Sequence, residues 1–453
     1  MINKIKKLKT KTDNNEIVSL NERILKLKLL KENIIKYENE IILALKKDLD
    51  KPLFEAYSSE IIFTLKEIDY TIKNIKKFVK PKKVKTPIFL YRSKSKIYNS
   101  PFGLVLIISP WNYPFQLALA PLISAYATGN RIVIRTSDKS IETSKIIKKI
   151  IEETFNEDEI FYLTIDSKKI IPEIIDKIKF DKIFFTGSTN VGKKIYEAAS
   201  KQLIPVTLEL GGKSPCIIDK CADIKVSIKR IISSKFFNLG QTCIAPDYLL
   251  VHKDIKNEVI KEIKKSIKDF YGTKPLMSKD LAKIINENAF DRLLNYIKQN
   301  KIIYGGNFDK NKLKIEPTII EANLNSKIMK EEIFGPILPL IYFNNYDEAI
   351  KIIRKNPEPL AFYLFTRNNE TKNLFLKEKF GGGCINNTIM HLANIDLPFG
   401  GIGTSGLGRY HGKYGFKNFT YEKSLLETKF FPDLDLRYPP YKNKFLKFLK
   451  RLL

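Results

Sequence analysis

The amino-acid sequence predicts an α/β fold in which a parallel sheet is covered by helices on both faces. Apolar runs at 103–109 and 131–135 are typical of strands that are buried on both sides. Stretches with helical periodicity separate such runs, and this alternation indicates strand–helix–strand units. At 453 residues the chain is longer than one ordinary domain, so we expect two or three lobes.

The predicted elements follow one another along most of the chain. The stretch Asp48–Pro52 breaks the first helical region. Residues 81–85 form a basic linker in this interpretation, and residues 87–100 suit a hairpin that reaches away from the core. Helices are expected at 17–48, 111–128, 140–155, 255–271 and 281–301. Three more have one predicted end each: one follows the break and ends near 79, one ends at 178, and one begins near 191. Strands are expected at 103–109, 131–135, 161–165, 182–186, 206–208, 248–252 and 337–343.

The charge of the chain is strongly positive, with a formal net value of +29. Such a charge can indicate a nucleic acid or a membrane surface as partner. Here the lysines are spread over the whole chain, interleaved with isoleucine and asparagine, and no nucleic-acid recognition motif accompanies them. We therefore expect no nucleic-acid partner.

Cysteine and histidine are scarce. The four cysteines, at positions 216, 221, 243 and 384, form no CxxC pair, and the chain has three histidines. This pattern predicts no metal site, no disulfide framework and a reduced, cytoplasmic setting.

Two segments have some features of targeting or membrane sequences. The basic N-terminus, residues 1–15, lacks a following apolar core, so it is not interpreted as a signal peptide. Residues 97–130 carry no charge and are long enough to span a bilayer. Because prolines and polar side chains interrupt this stretch, we expect a buried strand, turn and helix instead.

One stretch, residues 206–246, carries a pair of side chains suited to covalent catalysis. Glu209 ends an apolar run just before two glycines, and Cys243 lies in the small-residue turn at 240–243. A nucleophile and a general base are the minimum for covalent catalysis followed by hydrolysis. A lone cysteine is more often a small core residue, but the flanking glycines would let backbone and substrate approach closely.

A second motif follows the strand predicted at 182–186. Gly187, Ser188 and Gly192 occupy the turn into a helix that begins near Val191. Free N–H groups at the N-terminus of a helix favour a phosphate. The alternative is an ordinary turn between a strand and a helix.

Two further motifs lie downstream. Residues 331–336 are EEIFGP, which by itself could be an exposed loop with two acids. Residues 401–406 match GxGxxG literally, but LPF precedes them rather than a strand. Because a dinucleotide-binding turn needs that strand, we interpret 401–406 as a glycine-rich loop.

Together these motifs resemble the signatures of the aldehyde dehydrogenase family. The resemblance covers nearly the whole chain and is closest to the class 3 and fatty aldehyde dehydrogenases. The motifs that carry it are PWN at 110–112, GSTxxG at 187–192, TLELGGKSP at 207–215, FxNxGQTC at 236–243, EEIFGP at 331–336 and PFGG at 398–401. FEAY at 54–57, IAPDY at 244–248 and RYPP at 437–440 resemble the class 3 branch.

The resemblance implies an aldehyde dehydrogenase-like architecture with a Rossmann-type parallel-sheet cofactor domain, a second α/β catalytic domain and a small β bridging element for a homodimer. The implied ranges are 1–80 and 101–208 for the NAD(P)-binding domain, 209–402 for the catalytic domain, 81–100 and 403–435 for the bridging element, and 436–453 for a C-terminal tail.

The resemblance also implies a catalytic set. It makes Cys243 the nucleophile and Glu209 the base, with the side-chain amide of Asn112 and the N–H of Cys243 as oxyanion donors. In this chemistry the thiol adds to the aldehyde carbon, hydride leaves, and water deprotonated by Glu209 hydrolyses the thioester. A carboxylate in that position distinguishes aldehyde oxidisers from the coenzyme A-acylating and reductase relatives.

The implied cofactor is NAD or NADP. The family's LysProSerGlu, whose charged residues bind the adenosine ribose, is replaced here by RTSD at 135–138, so both cofactors stay open. The implied cofactor contacts are Arg135, Asp138, Gly187, Ser188, Val191, Gly192, Leu210, Glu332 at the nicotinamide ribose and Phe334 beside the nicotinamide. Tyr113, Gln116 and Leu117 are the implied lining of the substrate pocket.

The function that the resemblance implies is NAD(P)-dependent oxidation of medium- or long-chain aliphatic, or aromatic, aldehydes to carboxylic acids. One alternative is a dehydrogenase for semialdehydes or other polar aldehydes. Another is a catalytically idle, basic surface-binding protein on the same fold, against which the intact Cys243, Glu209 and Asn112 argue.

The C-terminal segment 441–453 predicts a basic amphipathic helix. Such a helix can lie in a membrane interface with its lysines near anionic lipid. The alternative, which we favour slightly, is that it docks on the protein or on a dimer partner. No hydrophobic anchor of the fatty aldehyde type is recognisable. The apolar face consists of Tyr441, Phe445, Phe448, Leu449 and Leu452.

Overall fold

A computed structural model describes residues 1–164, 171–431, 433, 438–441, 446, 447 and 450. Its helices are α1 Ile2–Asp13, α2 Leu20–Lys36, α3 Glu38–Leu49, α4 Leu53–Ala56, α5 Ile62–Phe78, α6 Gln116–Ala127, α7 Ile141–Thr154, α8 Ile171–Lys177, α9 Thr189–Ser200, α10 Ile224–Phe236, α11 Lys256–Tyr271, α12 Glu287–Lys298, α13 Tyr346–Arg354, α14 Asn369–Phe375 and α15 Gly412–Asn418.

The strands are short and numerous. They are β1 Lys82–Val84, β2 Ser93–Pro101, β3 Leu104–Ile108, β4 Arg131–Arg135, β5 Ile160–Leu163, β6 Lys182–Thr186, β7 Val206–Glu209, β8 Pro215–Ile218, β9 Tyr248–His252, β10 Lys301–Tyr304, β11 Phe308–Asp309, β12 Lys314–Ile315, β13 Thr318–Glu321, β14 Ile337–Phe343, β15 Ala361–Phe365, β16 Gly382–Ile385, β17 Gly406–Leu407 and β18 Thr420–Thr428.

The first of two large sheets has six strands in the order β17-β7-β6-β3-β4-β5. Its strands are parallel apart from β17, which pairs antiparallel with β7. In β3, Leu104 and Leu106 belong to one buried cluster and Val105 and Ile107 to another. Side chains alternate across a strand, so both faces of this sheet are covered, as the continuous apolar runs predicted.

The second large sheet has seven strands in the order β10-β13-β14-β9-β8-β15-β16. Here β10 is antiparallel to β13, and the remaining pairs are parallel. The predicted α/β class with helix-covered parallel sheets is therefore confirmed.

A separate three-stranded sheet, β1-β2-β18, corrects the interpretation of residues 81–100. The predicted linker contains β1, which pairs antiparallel with β2. The hairpin therefore starts at Lys82, and its second arm is the long strand β2. Strand β18 then pairs with all nine residues of β2. The polar composition of β1 hid this strand, because its pairing does not depend on burial.

Other element predictions differ from the structure at their ends. The helix expected at 17–48 is divided at Tyr37, which caps α2 and precedes α3. The helices expected from 111 and 281 begin at Gln116 and Glu287. Strand β8 at Pro215–Ile218 was not predicted, and neither was α1 at Ile2–Asp13.

Residues 97–130 contain the end of strand β2, which is half-buried, and then the buried strand β3, a turn and the buried helix α6, as expected from 103 onward. Within the part of the chain that the structure describes, no helix is long and apolar enough to cross a membrane. Most of the segment 441–453, with four of its five predicted apolar positions, lies outside the described residues.

The carboxyl ends of β3, β6 and β7 meet at one edge of the six-stranded sheet. Thr186 and Glu209 are paired in register there. In open parallel sheets this edge is where ligands bind. The loop that precedes β9 reaches the same edge, and this arrangement brings Cys243 to Thr186 and Glu209.

Candidate active site

Two cavities meet at Glu209 and Cys243. The first, called the apolar cavity below, has a volume of about 840 Å³ and is lined mainly by aromatic and aliphatic side chains. The second, called the polar cavity, has a volume of about 580 Å³ and is lined by glycines and polar groups. The residues that line both are Leu117, Thr186, Glu209, Leu210 and Cys243.

The backbone before Cys243 has left-handed φ angles, which most residue types adopt rarely. Asn238, Leu239 and Gly240 all have positive φ, at 50°, 53° and 72°. A Cβ on Gly240 would lie 2.4 Å from the carbonyl oxygen of Gly335, so a glycine is required.

The backbone N–H of Asn238 donates to Glu55 Oε2 at 2.8 Å. Burial raises the pKa of Glu55 to about 7.

The thiol of Cys243 is half-buried. Burial raises its pKa above the usual range, and the carboxyl groups of Glu332 and Glu209 raise it further. The backbone N–H groups of Cys243 and Ile244 oppose this shift, because they favour negative charge on the sulfur. The thiol is therefore protonated at neutral pH, and its reaction requires a proton acceptor.

The carboxyl group of Glu209 is 2% exposed. Neither of its oxygens has a hydrogen-bond partner among the described residues. Burial raises its pKa well above the usual range, and the positive charge of Arg409 opposes this shift. An unpaired buried carboxyl at a cavity wall is available to take a proton from a molecule bound there.

The loop 401–406 closes over Glu209 and does not open a helix. Gly406 is paired with Glu209 through β17 and β7. A Cβ on Gly400 would lie 3.0 Å from Glu209 Oε1. The interpretation of this GxGxxG match as a glycine-rich loop is consistent with this position.

Asn112 is fixed beside the cysteine loop. Its Nδ2 donates to the carbonyl oxygen of Gln241 at 3.0 Å, and Lys51 Nζ donates to its backbone oxygen at 3.1 Å. Lys51 forms a fully buried ion pair with Glu60 at 2.5 Å. Glu60 Oε2 in turn accepts the backbone N–H groups of Phe115 and Gln116 at 3.0 Å. Sequence analysis did not identify Lys51 and Glu60, which hold the 112–116 segment in place.

The polar cavity includes the start of α9. Gly187 and Ser188 line it, whereas Val191 and Gly192 are not among its lining residues. Gly192 acts indirectly, since a Cβ there would lie 2.5 Å from Leu210 Cδ2. The absence of a side chain lets α9 approach the end of β7, and its first residues, Thr189 and Asn190, line the cavity.

Glu332 and Phe334 line the same cavity. A Cβ on Gly211 would lie 2.0 Å from Glu332 Oε2, so glycine makes room for the carboxylate. Burial raises the pKa of Glu332 to about 8, and the carboxylate of Asp247 contributes to this shift. The rings of Phe334 and Trp111 meet edge to face with centroids 5.4 Å apart.

Arg135 and Asp138 line neither of these two cavities. Arg135 is buried, and its Nη2 lies 3.4 Å from Asp138 Oδ1. The structure therefore brings these two residues together with each other, at the end of β4, and not with the residues around Cys243.

The predicted pocket residues Tyr113, Gln116 and Leu117 all line the apolar cavity. The phenol of Tyr113 lies 2.6 Å from the hydroxyl of Thr242, beside Cys243. Most of the remaining wall was not predicted, because its residues come from distant segments and no single motif contains them, although Phe54 and Phe399 lie in motifs noted above for other reasons. They include Phe54, Phe63, Phe237, Phe270, Phe399 and Tyr410.

The arrangement fits a bound dinucleotide at the polar cavity. Main-chain N–H groups at the start of α9 suit a diphosphate, and the Glu332 carboxylate is held where it can accept hydrogen bonds from a sugar. A thiol and an unpaired carboxyl at the junction can then act on a substrate in the apolar cavity.

Comparison with known proteins gives a consistent result. The sequence model of the aldehyde dehydrogenase family matches residues 4–425. The chain is 46% identical over 428 residues to the 4,4'-diaponeurosporen-aldehyde dehydrogenase of Staphylococcus aureus, covering 94% of this chain and 93% of that protein. It is 41% identical to aldehyde dehydrogenase family 3 member A2 of Mus musculus, covering 92% of this chain and 87% of that protein.

Solved structures agree. The substrate-bound state of Staphylococcus aureus AldH superposes with a TM-score of 0.95 and 43% identity, covering 99% of this chain and 98% of that chain. The NAD+ complex of an aldehyde dehydrogenase from Bacillus cereus has a TM-score of 0.83 and 26% identity, covering 94% of this chain and 88% of that chain.

Proposed function

Because this chain belongs to the aldehyde dehydrogenase family, we propose that it oxidises medium- or long-chain aliphatic, or aromatic, aldehydes to carboxylic acids with NAD or NADP. The observation that carries this proposal is the position of Cys243 and Glu209 at the junction of the apolar and polar cavities. A substrate in the first cavity and a cofactor in the second would both contact these two residues.

Cys243 begins the reaction. Its sulfur forms a bond to the carbonyl carbon of the aldehyde, and the thiol proton passes to water. The carbonyl oxygen becomes an alkoxide, which accepts hydrogen bonds from Asn112 Nδ2 and from the N–H of Cys243. Such a donor contributes about 10²–10³ in rate. The Nδ2 group already donates one hydrogen to Gln241, and its second hydrogen is left for the alkoxide.

When bound, the nicotinamide cofactor accepts the hydride from the former aldehyde carbon. The residues proposed to hold it are Gly187 and Ser188 at the diphosphate and Glu332 at a ribose, with Phe334 beside the ring. Val191 and Leu210 would contact the same cofactor, and Gly192 would allow its approach. Arg135 and Asp138 are proposed for the adenosine ribose, outside the two cavities.

Glu209 completes the reaction. It removes a proton from water, and the resulting hydroxide attacks the thioester carbon. The carbon–sulfur bond breaks, the carboxylic acid leaves, and Glu209 returns its proton to the sulfur, which restores the thiol. Because burial raises the pKa of Glu209, its ionised form is a stronger base for this step than an exposed carboxylate would be.

The apolar cavity supports a hydrophobic substrate. Its volume of about 840 Å³ lies near the upper end of small-molecule sites. Tyr113, Gln116 and Leu117 would surround the reacting end. The Staphylococcus aureus relative is named a 4,4'-diaponeurosporen-aldehyde dehydrogenase, and this name supports aldehyde oxidation here.

A panel of aldehydes assayed with NAD and with NADP tests the function. Reduced cofactor should accumulate in proportion to the acid formed, with hexanal to dodecanal and benzaldehyde among the substrates. If no aldehyde in the panel is turned over with either cofactor, the proposed function is wrong.

Further proposals concern the oligomeric state, the compartment and the C-terminal tail. We propose a cytoplasmic homodimer in which β2 and β18 form the bridging element, with the domain ranges that the resemblance implies. Tyr421, Leu425 and Leu426 of β18 are exposed in the single chain, and such side chains favour a partner surface. Light scattering coupled to gel filtration measures the mass directly.

Sedimentation with anionic liposomes, with and without residues 441–453, tests whether the tail contacts membranes.

A further inference from the structure

The backbone that leads to Cys243 is held in a conformation that is unfavourable for most residues. Asn238 and Leu239 have φ angles of 50° and 53°, in the left-handed region, and Gly240 follows at 72°. We call residues 238–240 the strained segment. Such a run persists only where surrounding contacts fix it. The contacts of the strained segment therefore determine where the cysteine lies.

Asn238 makes most of these contacts. Its side-chain Nδ2 donates to the carbonyl oxygens of Asn112 and Gln241 at 2.9 and 3.2 Å. Its backbone N–H donates to Glu55 Oε2 at 2.8 Å. Among the described residues, Glu55 is the one carboxylate shown to bond to the strained segment. Through Asn238 it is linked to Asn112, one of the two proposed oxyanion donors. Along the chain it is linked to Cys243, which supplies the other.

Glu55 is buried in the short helix α4 and lines neither cavity, and the mechanism above does not use it. Burial raises its pKa to about 7, so both of its ionisation states are populated near neutral pH. The ionisable groups that face it from other elements are the ammonium of Lys51, the carboxylate of Asp280, and the phenols of Tyr113 and Tyr271. Lys51 favours the ionised form of Glu55, and Asp280 opposes it.

We propose that Glu55 is a positioning residue, whose ionised carboxylate holds the strained segment so that Asn112 Nδ2 and the N–H of Cys243 are aligned on one oxygen atom. The proposal rests on the proposed aldehyde oxidation. An ionised carboxylate accepts a stronger hydrogen bond than a protonated one. When Glu55 gains a proton, its bond to Asn238 weakens and the two donors lose their alignment. Stabilisation of the alkoxide then falls, while binding of the aldehyde is unchanged.

The test uses Glu55→Gln, which keeps the size of the side chain and an acceptor oxygen but removes the negative charge. This variant mimics the protonated carboxyl at every pH. The matched control is Glu316→Gln. Glu316 is also buried, its Oε1 accepts the backbone N–H of Asn307 at 3.0 Å, and it lines neither cavity. Both variants lose a buried carboxylate that accepts a main-chain hydrogen bond, but Glu55 alone is next to the cysteine loop.

The first readout is the single-turnover rate constant for cofactor reduction at saturating dodecanal, followed by stopped-flow absorbance from pH 6 to pH 9. The ratio of the unmodified enzyme to Glu55→Gln should be below about twofold at pH 6 and rise to about tenfold at pH 8.5, as Glu55 ionises. The dodecanal concentration that gives half the maximal rate should stay the same. Groups that titrate in both proteins cancel in this ratio. Glu316→Gln should give a ratio near 1 throughout.

The second readout is thermal stability over the same pH range. The pKa of Glu55 in the folded state lies above its unfolded value of about 4.3, so the ionised carboxylate lowers stability as pH rises. The Tm of Glu55→Gln relative to the unmodified protein should therefore increase with pH. Relative activity and relative stability should change in opposite directions, which a loss of activity through unfolding cannot produce.

Three outcomes overturn the proposal. One is a rate ratio that does not change with pH, and another is an equal pH-dependent loss in Glu316→Gln. The third is a Glu55→Gln protein that does not fold or whose relative Tm falls together with its relative rate, because the role of Glu55 would then be structural. Failure of the proposed function is distinct, since the unmodified enzyme would then reduce neither NAD nor NADP with dodecanal at any pH.

Discussion

The ammonium group of Lys213 lies 2.5 Å from Asp247 Oδ2, and both side chains are almost fully buried. Lys213 Nζ also donates to the carbonyl oxygens of Ile328 and Glu331 at 2.7 and 3.0 Å. Asp247 Oδ1 accepts the N–H of Ile333 at 3.0 Å. This ion pair therefore ties the glycine loop after Glu209 to the 328–333 segment that presents Glu332 to the polar cavity.

Lys213→Met should destabilise the protein by about 3–5 kcal/mol, because the carboxylate of Asp247 would remain buried without its counter-ion. Urea unfolding followed by circular dichroism measures the change. Lys201→Met, at an exposed position, is the control and should change stability by less than about 0.5 kcal/mol. A stable Lys213→Met protein would show that the pair is not needed to hold the two loops together.

Cys243→Ser should abolish dehydrogenase turnover and leave cofactor affinity nearly intact, because a hydroxyl lacks the nucleophilicity of a thiol. Steady-state assays and cofactor titration by fluorescence measure the two properties. Cys384→Ser, which lines neither cavity, should keep its activity, and we expect the same for Cys216 and Cys221. Near-normal turnover in Cys243→Ser would remove this residue from the role of nucleophile.

Glu209→Gln should allow one round of hydride transfer and then stall before hydrolysis, since an amide cannot deprotonate water. Stopped-flow absorbance should show a burst of about one reduced cofactor per active site, with a steady-state rate lower by about 10²–10⁴. Mass spectrometry of the stalled protein should find the acyl group on Cys243. A full steady-state rate would contradict the assignment of Glu209 as base.

The same substitution should change how stability depends on pH. Burial raises the pKa of Glu209 in the folded state above its unfolded value of about 4.3. The contribution of the protonated carboxyl is therefore present below about pH 4 and is lost as pH rises toward the folded pKa. The Tm of Glu209→Gln relative to the unmodified protein should increase between pH 4 and pH 8. A constant difference across this range would show that the carboxyl keeps an ordinary pKa.

Cofactor preference should be loose. Arg135 can bind a 2′-phosphate with two hydrogen bonds, and Asp138 is one methylene shorter than the glutamate usual in the family. The ion pair between them at 3.4 Å must open for either cofactor to reach the guanidinium. We expect kcat/KM for NAD and NADP to differ by less than about a thousandfold, or about 4 kcal/mol. In Arg135→Leu the value for NADP should fall more than that for NAD.

Much of the sheet scaffold could be predicted from the sequence. The strands at Arg131–Arg135, Lys182–Thr186, Tyr248–His252 and Ile337–Phe343 have the predicted bounds. Each is rich in β-branched or aromatic residues and is buried along nearly its whole length, so its local composition determines its structure. Strand β1 escaped prediction because KKV has no such composition and owes its conformation to pairing with β2.

The meeting of Glu209 and Cys243, the two side chains proposed to react, could also be anticipated, because short local motifs surround them. The glycines beside Glu209 and Cys243 are needed for backbone geometry and close approach, and such requirements leave a trace in the sequence. By contrast, Lys213 and Asp247 are 34 residues apart in the sequence, and Lys51 and Asn112 are 61 residues apart. A lysine that will be buried has no sequence signature that separates it from the many exposed lysines of this chain.

The sequence by itself determined the α/β class and the family, and its motifs singled out the proposed nucleophile and base, because these features depend on local composition and on motifs. The tertiary structure alone decided that Glu209 is buried with no hydrogen-bond partner among the described residues, and that two cavities of different polarity meet at Cys243. These properties arise where segments from Phe54 to Tyr410 come together. Desolvation and cavity shape depend on that packing, and no single segment contains the information for it.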